Sequence, residues 1–285
     1  MPYLPDELPK ARVLIIVKTY PQPSRSYTEL VCTAGLLNGE KWIRIYPVSY
    51  RFLQDGQIYP KYSWIELDLI RRKRDFRPES YRPRMGVDEQ IHVLDQVGTA
   101  NNWVARKDYV LNEVFTSMKE LINLAKGAER KSLATLKPTR IVDFVIEEDE
   151  REWKKEWQDQ LKQLNFFELP TQKGQSQKRI IKKLPYKFFY RFFSEGDTEP
   201  CLMMIEDWEI GALFWNCLYQ ADGDEEKAKQ LVRQKYYEDF IEQKDIYLFV
   251  GTTLKFHRVA PNPFVIIGVF YPPKSAQLSL LRLIE

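Results

Sequence analysis

The residues equipped for chemistry lie in two basic runs and one acidic strand. Between Ile70 and Met85, RRKRDFRPESYRPR sets seven cations against two acids and interleaves them with Phe76 and Tyr81. From Lys173 to Arg191, KGQSQKRIIKKLPYKFFYR holds seven cations and no acid. Guanidinium forks grip phosphates and flat rings stack on bases, so cations mixed with aromatics suit single-stranded nucleic acid. Pro78 and Pro83 make the first run an extended, exposed loop, and taken alone it fits a solvated loop whose charges pair with neighbouring acids as well; the acid-free second run makes the two together harder to dismiss. Glu66 and Asp68 share one face of SWIELDLI ahead of Arg71, Arg72 and Lys73, the nearest approach to a metal-dependent nuclease. No lysine stands two residues after the second acid, and ordinary strand alternation accounts for both carboxylates.

Two smaller constellations join these runs. In KWIRIYPV, alternation puts Trp42, Arg44 and Tyr46 on one strand face and Ile43 and Ile45 on the other. That face suits base stacking and cross-strand packing alike. In KTYPQPSRSY, Lys18 and Arg25 offer charge, Tyr20 and Tyr27 offer rings, and two prolines stiffen the loop. The candidate nucleic-acid-binding residues are therefore these four, with Trp42, Arg44 and Tyr46. From the first run come Arg71, Arg72, Arg74, Phe76, Arg77 and Tyr81, and from the second Lys178, Arg179, Lys182, Lys183, Lys187 and Arg191.

Phosphate-loop, dinucleotide, zinc-protease and serine-elbow motifs are all missing. His92 and His257 lie far from Cys32, Cys201 and Cys217, at no ligand spacing. Cys32 and Cys217 read as core thiols, and Asp207-Trp208-Glu209 as a helix cap with a carboxylate in the first turn. The expectation is no catalytic residue, no metal and no cofactor.

The elements that must position these residues follow from periodicity. RVLIIV, LVCTAGLL, KWIRIYPV, SWIELDLI and QIHVLDQV read as five strands, with Asn38-Gly39 as a tight hairpin turn between the second and third. Apolar spacing over Asn101 to Ala125 predicts one long helix. A polar linker near residues 126–138 then leads to TRIVDFVIEE, a helix in EDEREWKKEWQDQLKQL, strands KFFYRFFS and PCLMMIE, two helices, and strands DIYLFVGTT and PFVIIGVF. Three strands, a helical insertion and two strands is the order of an OB-fold. The expected class is α+β, with two OB-like five-stranded barrel halves and helical insertions, residues 1–128 and 129–285.

The motifs Lys18-Thr19-Tyr20-Pro21, Tyr27-x-Glu29-x-x-Cys32-x-x-Gly35 and Trp42-Ile43-Arg44-Ile45-Tyr46-Pro47, with Asp207-Trp208-Glu209, Ile267-Gly268 and Pro272, resemble bacterial proteins carrying a dual OB-containing domain. The resemblance implies two barrels and a bacterial setting, with DNA metabolism or defence against foreign DNA one step further. It carries no catalytic residues.

The chain has 285 residues, 44% of them hydrophobic and 14% aromatic, enough to bury a sizeable core. A net charge of only +3 makes any basic surface local. An odd number of scattered cysteines and no apolar leader point to a reducing cytoplasmic compartment, and no apolar run reaches the ~18 residues of a membrane span. The reading is a non-catalytic nucleic-acid-binding protein that prefers single strands, with the two basic runs lining one groove. A protein-interaction adaptor and a metal-dependent enzyme on nucleic acid, using Glu66 and Asp68, are the alternatives. The sequence leaves the oligomeric state open.

Overall fold

The computed structural model describes residues 4–23, 29–48, 50–53, 56–86, 89–155 and 181–274. Six strands begin the chain: β1 (Glu7–Lys18), β2 (Gln22–Pro23), β3 (Glu29–Leu37), β4 (Lys41–Val48), β5 (Ser63–Arg71) and β6 (Ser80–Pro83). β1 pairs with β3 and β5, β3 with β4, β4 in parallel with β6, and β6 with β5. This ring of five strands closes into a barrel, with β2 a short annex on β3. The β3–β4 hairpin turns at Asn38 and Gly39, with φ of 52° and 81°, a region that asparagine and glycine enter most cheaply.

The barrel interior is filled by Val13, Ile15, Ile43, Ile45, Leu67 and Tyr81, among others. β1 also buries its outer face, where Leu14, Ile16 and Val17 pack against the second half of the chain. Burial on both faces explains why VLIIV reads as an unbroken apolar run rather than an alternating one.

The strand that closes the barrel lies inside the run expected to be an exposed loop. Ser80–Pro83 forms β6, and Tyr81 is wholly buried. Pro83 falls at the last position of a four-residue strand, where a missing N–H is tolerated. QIHVLDQV does form a strand, β7 (His92–Gln96), but it lies beside β5 outside the closed ring.

The single long helix expected over Asn101 to Ala125 is two. α1 (Ala100–Val110) opens with Asn101, Asn102 and Trp103 in left-handed conformation, then β8 (Val114–Phe115) intervenes, then α2 (Met118–Lys126). The break has a cause. β8 pairs in parallel with a strand further on, and Ser117 starts α2 as an N-cap, its hydroxyl accepting from the Glu120 N–H. That further strand is β9 (Leu133–Leu136), fully buried, within the stretch read as a polar linker.

Beyond β9 come β10 (Arg140–Glu148), β11 (Tyr186–Phe193), β12 (Cys201–Met204), α3 (Trp208–Gln220), α4 (Glu225–Arg233), a π-helical stretch Gln234–Asp239, α5 (Phe240–Gln243), β13 (Tyr247–Thr252) and β14 (Phe264–Phe270). The helix expected at EDEREWKKEWQDQLKQL falls mostly outside the described residues. Two sheets result, β10-β11-β12 and β14-β13-β9-β8, joined by one parallel bridge between Ile205 and Ile266. Among the described residues the second half therefore shows two sheets rather than a second closed ring. Pro138, which has no N–H to donate, separates β9 from β10, and a lone bridge stands where a ladder would close the ring.

The halves share a core. Leu14, Ala34 and Leu36 of the barrel meet Leu133, Phe249 and Phe270 across the seam. Among the described residues no helix is long and apolar enough to cross a membrane.

Candidate nucleic-acid interface

Strand alternation in β4 works as expected, with Ile43 and Ile45 inside the barrel. Its opposite face is covered by the second half. Trp42 meets Phe249 edge to face at 5.6 Å, and Arg44 is buried with its guanidinium on Ser132 Oγ (3.0 Å) and on the carbonyls of Ser132 and Thr252 (3.3 Å each). Burial, and then Arg77 nearby, lowers the Arg44 pKa. Tyr46 is half-buried beneath Arg72, whose guanidinium lies 4.7 Å from the ring centre.

Lys18 and Tyr20 also belong to the seam. Lys18 Nζ donates to Tyr50 Oη (2.9 Å) and to the Tyr59 carbonyl (3.0 Å) and sits 4.1 Å over the Tyr50 ring. Burial, with Lys61 adding repulsion, lowers its pKa to about 8. Tyr20 Oη donates to the Lys182 carbonyl (2.8 Å) and accepts from Trp215 Nε1 (2.9 Å). Arg25 and Tyr27 lie outside the described residues.

The first basic run is largely neutralised by its neighbours. Arg71 meets Asp6 at 2.7 Å and donates to the carbonyls of Pro78 and Leu4 and to Tyr81 Oη. Arg77 grips Asp75 through Nε (2.8 Å) and Nη2 (2.6 Å) and donates to the Thr252 carbonyl. Burial works to raise the Asp75 carboxyl, but hydrogen bonds and charge from Arg77 outweigh it and hold Asp75 below the usual range. Arg72 lies 3.8 Å from the same carboxylate. Lys73 and Arg74 are exposed, with no ion pair among the described residues.

The second run is divided. Lys178 and Arg179 lie outside the described residues. Lys183 and Lys187 share Asp149, at 2.6 and 3.0 Å. Lys182 is exposed, 5.4 Å from the centre of the Trp215 ring, and Arg191 is exposed on β11. The two runs sit at opposite ends of β1. Arg71 is bonded to Asp6, before the strand begins, while the Lys182 carbonyl is bonded to Tyr20, after it ends. The described parts of the two runs do not come together.

What does come together is a pair of loops. The β5–β6 loop, residues 72–79, meets the β13–β14 loop, residues 253–263. Phe76 sits edge-on to His257 at 5.0 Å, with the Arg258 guanidinium 3.9 Å over its ring. His257 is pinned. The Ala125 carbonyl can only accept, so Nε2 donates to it (2.9 Å) and Nδ1 accepts from Thr252 Oγ1 (2.7 Å), a neutral tautomer matched by a pKa that burial lowers. Leu254, Phe256 and Val259 are exposed beside Lys255 and Arg258, with Phe256 and Val259 48% and 74% accessible. Between the loop at 72–79 and the turn after α2 opens a cavity of about 340 Å3, lined in part by Lys73, Phe76, Arg77 and Arg130.

Sequence reasoning missed this second loop. LKFHRV alternates cations with apolar and aromatic residues much as the two longer runs do, but it is short and directly follows the Gly-Thr-Thr at the end of a strand. It also missed Lys61, buried against Asp207 (3.1 Å) and Glu209 (3.1 Å). Asp207 does cap α3, accepting from the Glu209 N–H at 3.3 Å. Burial tends to lower the Lys61 pKa, and the two carboxylates outweigh it and raise it.

An α+β chain with a closed five-stranded barrel, fused through a common core to two further sheets, is the class these features define. The chain belongs to the family described as Domain of unknown function (DUF8757), whose model matches residues 114–284, and residues 9–112 match Domain of unknown function (DUF8758). No curated protein matches the sequence. The solved structure of a murine DNA binding protein bound with ds DNA aligns over 95% of this chain and 97% of that one, at 8% identity and a TM-score of 0.32, too slight a likeness to carry an argument.

Proposed function

We propose that the protein binds nucleic acid without catalysing a reaction on it, and that single strands enter over the paired loops at 72–79 and 253–263. The observation that carries this reading is the placement of Lys255 on the Phe256 ring and Arg258 on the Phe76 ring, with exposed Arg74 two positions before Phe76 and none of the three cations in an ion pair among the described residues. Cations next to accessible rings are what a sequence-tolerant single-strand site needs.

The ring order of the barrel, first strand to second, second to third, third to fifth in parallel, fifth to fourth and fourth to first, supports an OB-like reading of the first half. In that fold the loop between the fourth and fifth strands is one of the usual ligand loops. Taking β9 and β10 together as a first strand and the Ile205–Ile266 bridge as a parallel contact supports a like reading of the second half, in which 253–263 is the equivalent loop. The strand 2–3 face that also binds ligands in such barrels is covered at Trp42 and Arg44, which leaves the loops. A bacterial setting, a cytoplasmic location and a role in DNA metabolism or defence extend this proposal along the resemblance noted above.

A fluorescence anisotropy titration with labelled single-stranded DNA, RNA and duplex at 50 and 200 mM salt tests it. Three phosphate contacts on a single strand predict roughly a twentyfold loss of affinity between the two salts. The triple change Arg74→Gln, Lys255→Gln, Arg258→Gln should remove most of the binding and flatten that slope. Unchanged affinity in the triple variant defeats the proposal.

The exposed Leu254, Phe256 and Val259 favour a second reading, an apolar docking site for a protein partner. Such an interaction would hold its affinity as salt rises.

A further inference from the structure

The cavity of about 340 Å3 lies at the small end of ligand-sized pockets, which run from ~300 to ~1,000 Å3. Its charges divide into spent and unspent. Arg77 is held by Asp75 and by the Thr252 carbonyl, and Asp6 is met by Arg71. The side chains of Lys73 and Arg130 have no hydrogen bond or ion pair among the described residues, and they approach from different halves of the chain. Arg130 stands in a turn at a φ of 52°, a conformation that a residue with a Cβ adopts at a cost and that recurs around binding sites. Glu129 on the rim is likewise unpaired, so the free groups total two cations and one carboxylate.

We infer that this pocket takes a phosphomonoester attached to one nucleoside, with the phosphate between Lys73 and Arg130 and the base on the Phe76 side. A dianionic phosphate outweighs Glu129 and answers both free cations, and one nucleotide is about what the volume admits. The same chemistry has two sources, the phosphorylated end of a strand and a free nucleoside monophosphate. The inference deepens the single-strand reading, on which it rests for its choice of a nucleotide. It places a reader of strand ends beside a surface that follows the strand.

The test uses the whole protein and four probes: a ten-nucleotide DNA bearing a 5′-phosphate, a 3′-phosphate or only hydroxyl ends, and free dAMP. One phosphorylated end should bind about tenfold more tightly than the hydroxyl-ended strand. In Lys73→Gln, Arg130→Gln the ratio of affinities between phosphorylated and hydroxyl-ended strands should fall to about one. If no strand binds at all, the strand-binding surface is wrong, and dAMP binding by calorimetry, lost in the double variant, would still uphold the pocket. Equal affinity for all three ends together with no dAMP binding overturns the inference. Circular dichroism and a melting curve on the double variant guard against misfolding, and Arg130→Lys should restore part of the preference.

Discussion

Arg258 lies over the ring of Phe76 at 3.9 Å, so a cation from the β13–β14 loop caps an aromatic from the β5–β6 loop. The contact joins two segments 182 positions apart and makes the two loops one surface. Phe76→Ala removes the ring and the edge contact to His257 together. Loss of one stacking platform costs about 1–3 kcal/mol per base, so the dissociation constant for a single strand should rise about tenfold. Anisotropy at fixed salt measures it, and an unaltered constant would show that the ring takes no part.

Arg44 makes the opposite case. It was a candidate ligand contact, and it is buried with Ser132 and the Thr252 carbonyl as partners. Arg44→Ala takes one charged donor from those groups, although the Thr252 carbonyl keeps Arg77 and the Ser132 carbonyl keeps the Thr252 N–H, and a hydrogen bond from a charged group is worth about 1.5–3 kcal/mol. Urea unfolding should show a loss of about 3 kcal/mol, with strand affinity of the folded fraction unchanged.

How far the sequence could be read depended on range. Strands whose signal is local, such as RVLIIV and PFVIIGVF, and the cap at Asp207, fall where periodicity and side-chain type put them. β6 and β9 were missed because they are four residues long, flanked by prolines or charges, and made into strands only by distant partners, β4 and β13. Basic character was visible in RRKRDFRP, but nothing near Arg71 in sequence announces Asp6 as its partner. The alternation in KWIRIYPV identified two faces correctly and could not tell that the outer one meets Phe249. The loop at 253–263 was the reverse, a site hidden by brevity.

Lys18 predicts a pH dependence. Its pKa falls from 10.5 to about 8 on folding, so between those values the unfolded chain binds the extra proton and stability rises with pH. Below about pH 8 the cost of the buried charge is present in full. A shift of this size corresponds to about 3 kcal/mol, of which roughly 2 should appear between pH 8 and 9.5. Denaturant midpoints over that window should climb in the natural protein and stay flat in Lys18→Met.

Glu225 gives the acid limb. Arg151 meets its carboxylate at 2.7 and 2.8 Å, and Tyr186 Oη donates at 2.5 Å. Hydrogen bonds from Arg151 and then Tyr186 hold it at about 2, below its ordinary 4.5. The stability it contributes is present above pH 4.5 and is lost as pH falls toward 2. Glu225→Gln should weaken the acid-side decline in melting temperature and leave the alkaline side alone.

Gly211 faces Tyr20 across the seam, and a Cβ there would lie 2.4 Å from the ring. The ring is fixed by Lys182 and Trp215, so it cannot swing away without breaking both hydrogen bonds. Gly211→Ala should cost about 1–3 kcal/mol through overpacking, read as a lowered melting temperature.

The ion pair of Lys61 with Asp207 spans the two domains of unknown function, with Lys61 before residue 112 and Asp207 after residue 114. A cell that made either piece alone would hold a polypeptide with a bare greasy wall and a widowed charge set in it. Such fragments would meet quality control rather than a ligand, unless the missing companion were supplied in trans. Splitting the gene is thus tolerable only where both products are made together and find one another before the proteases do.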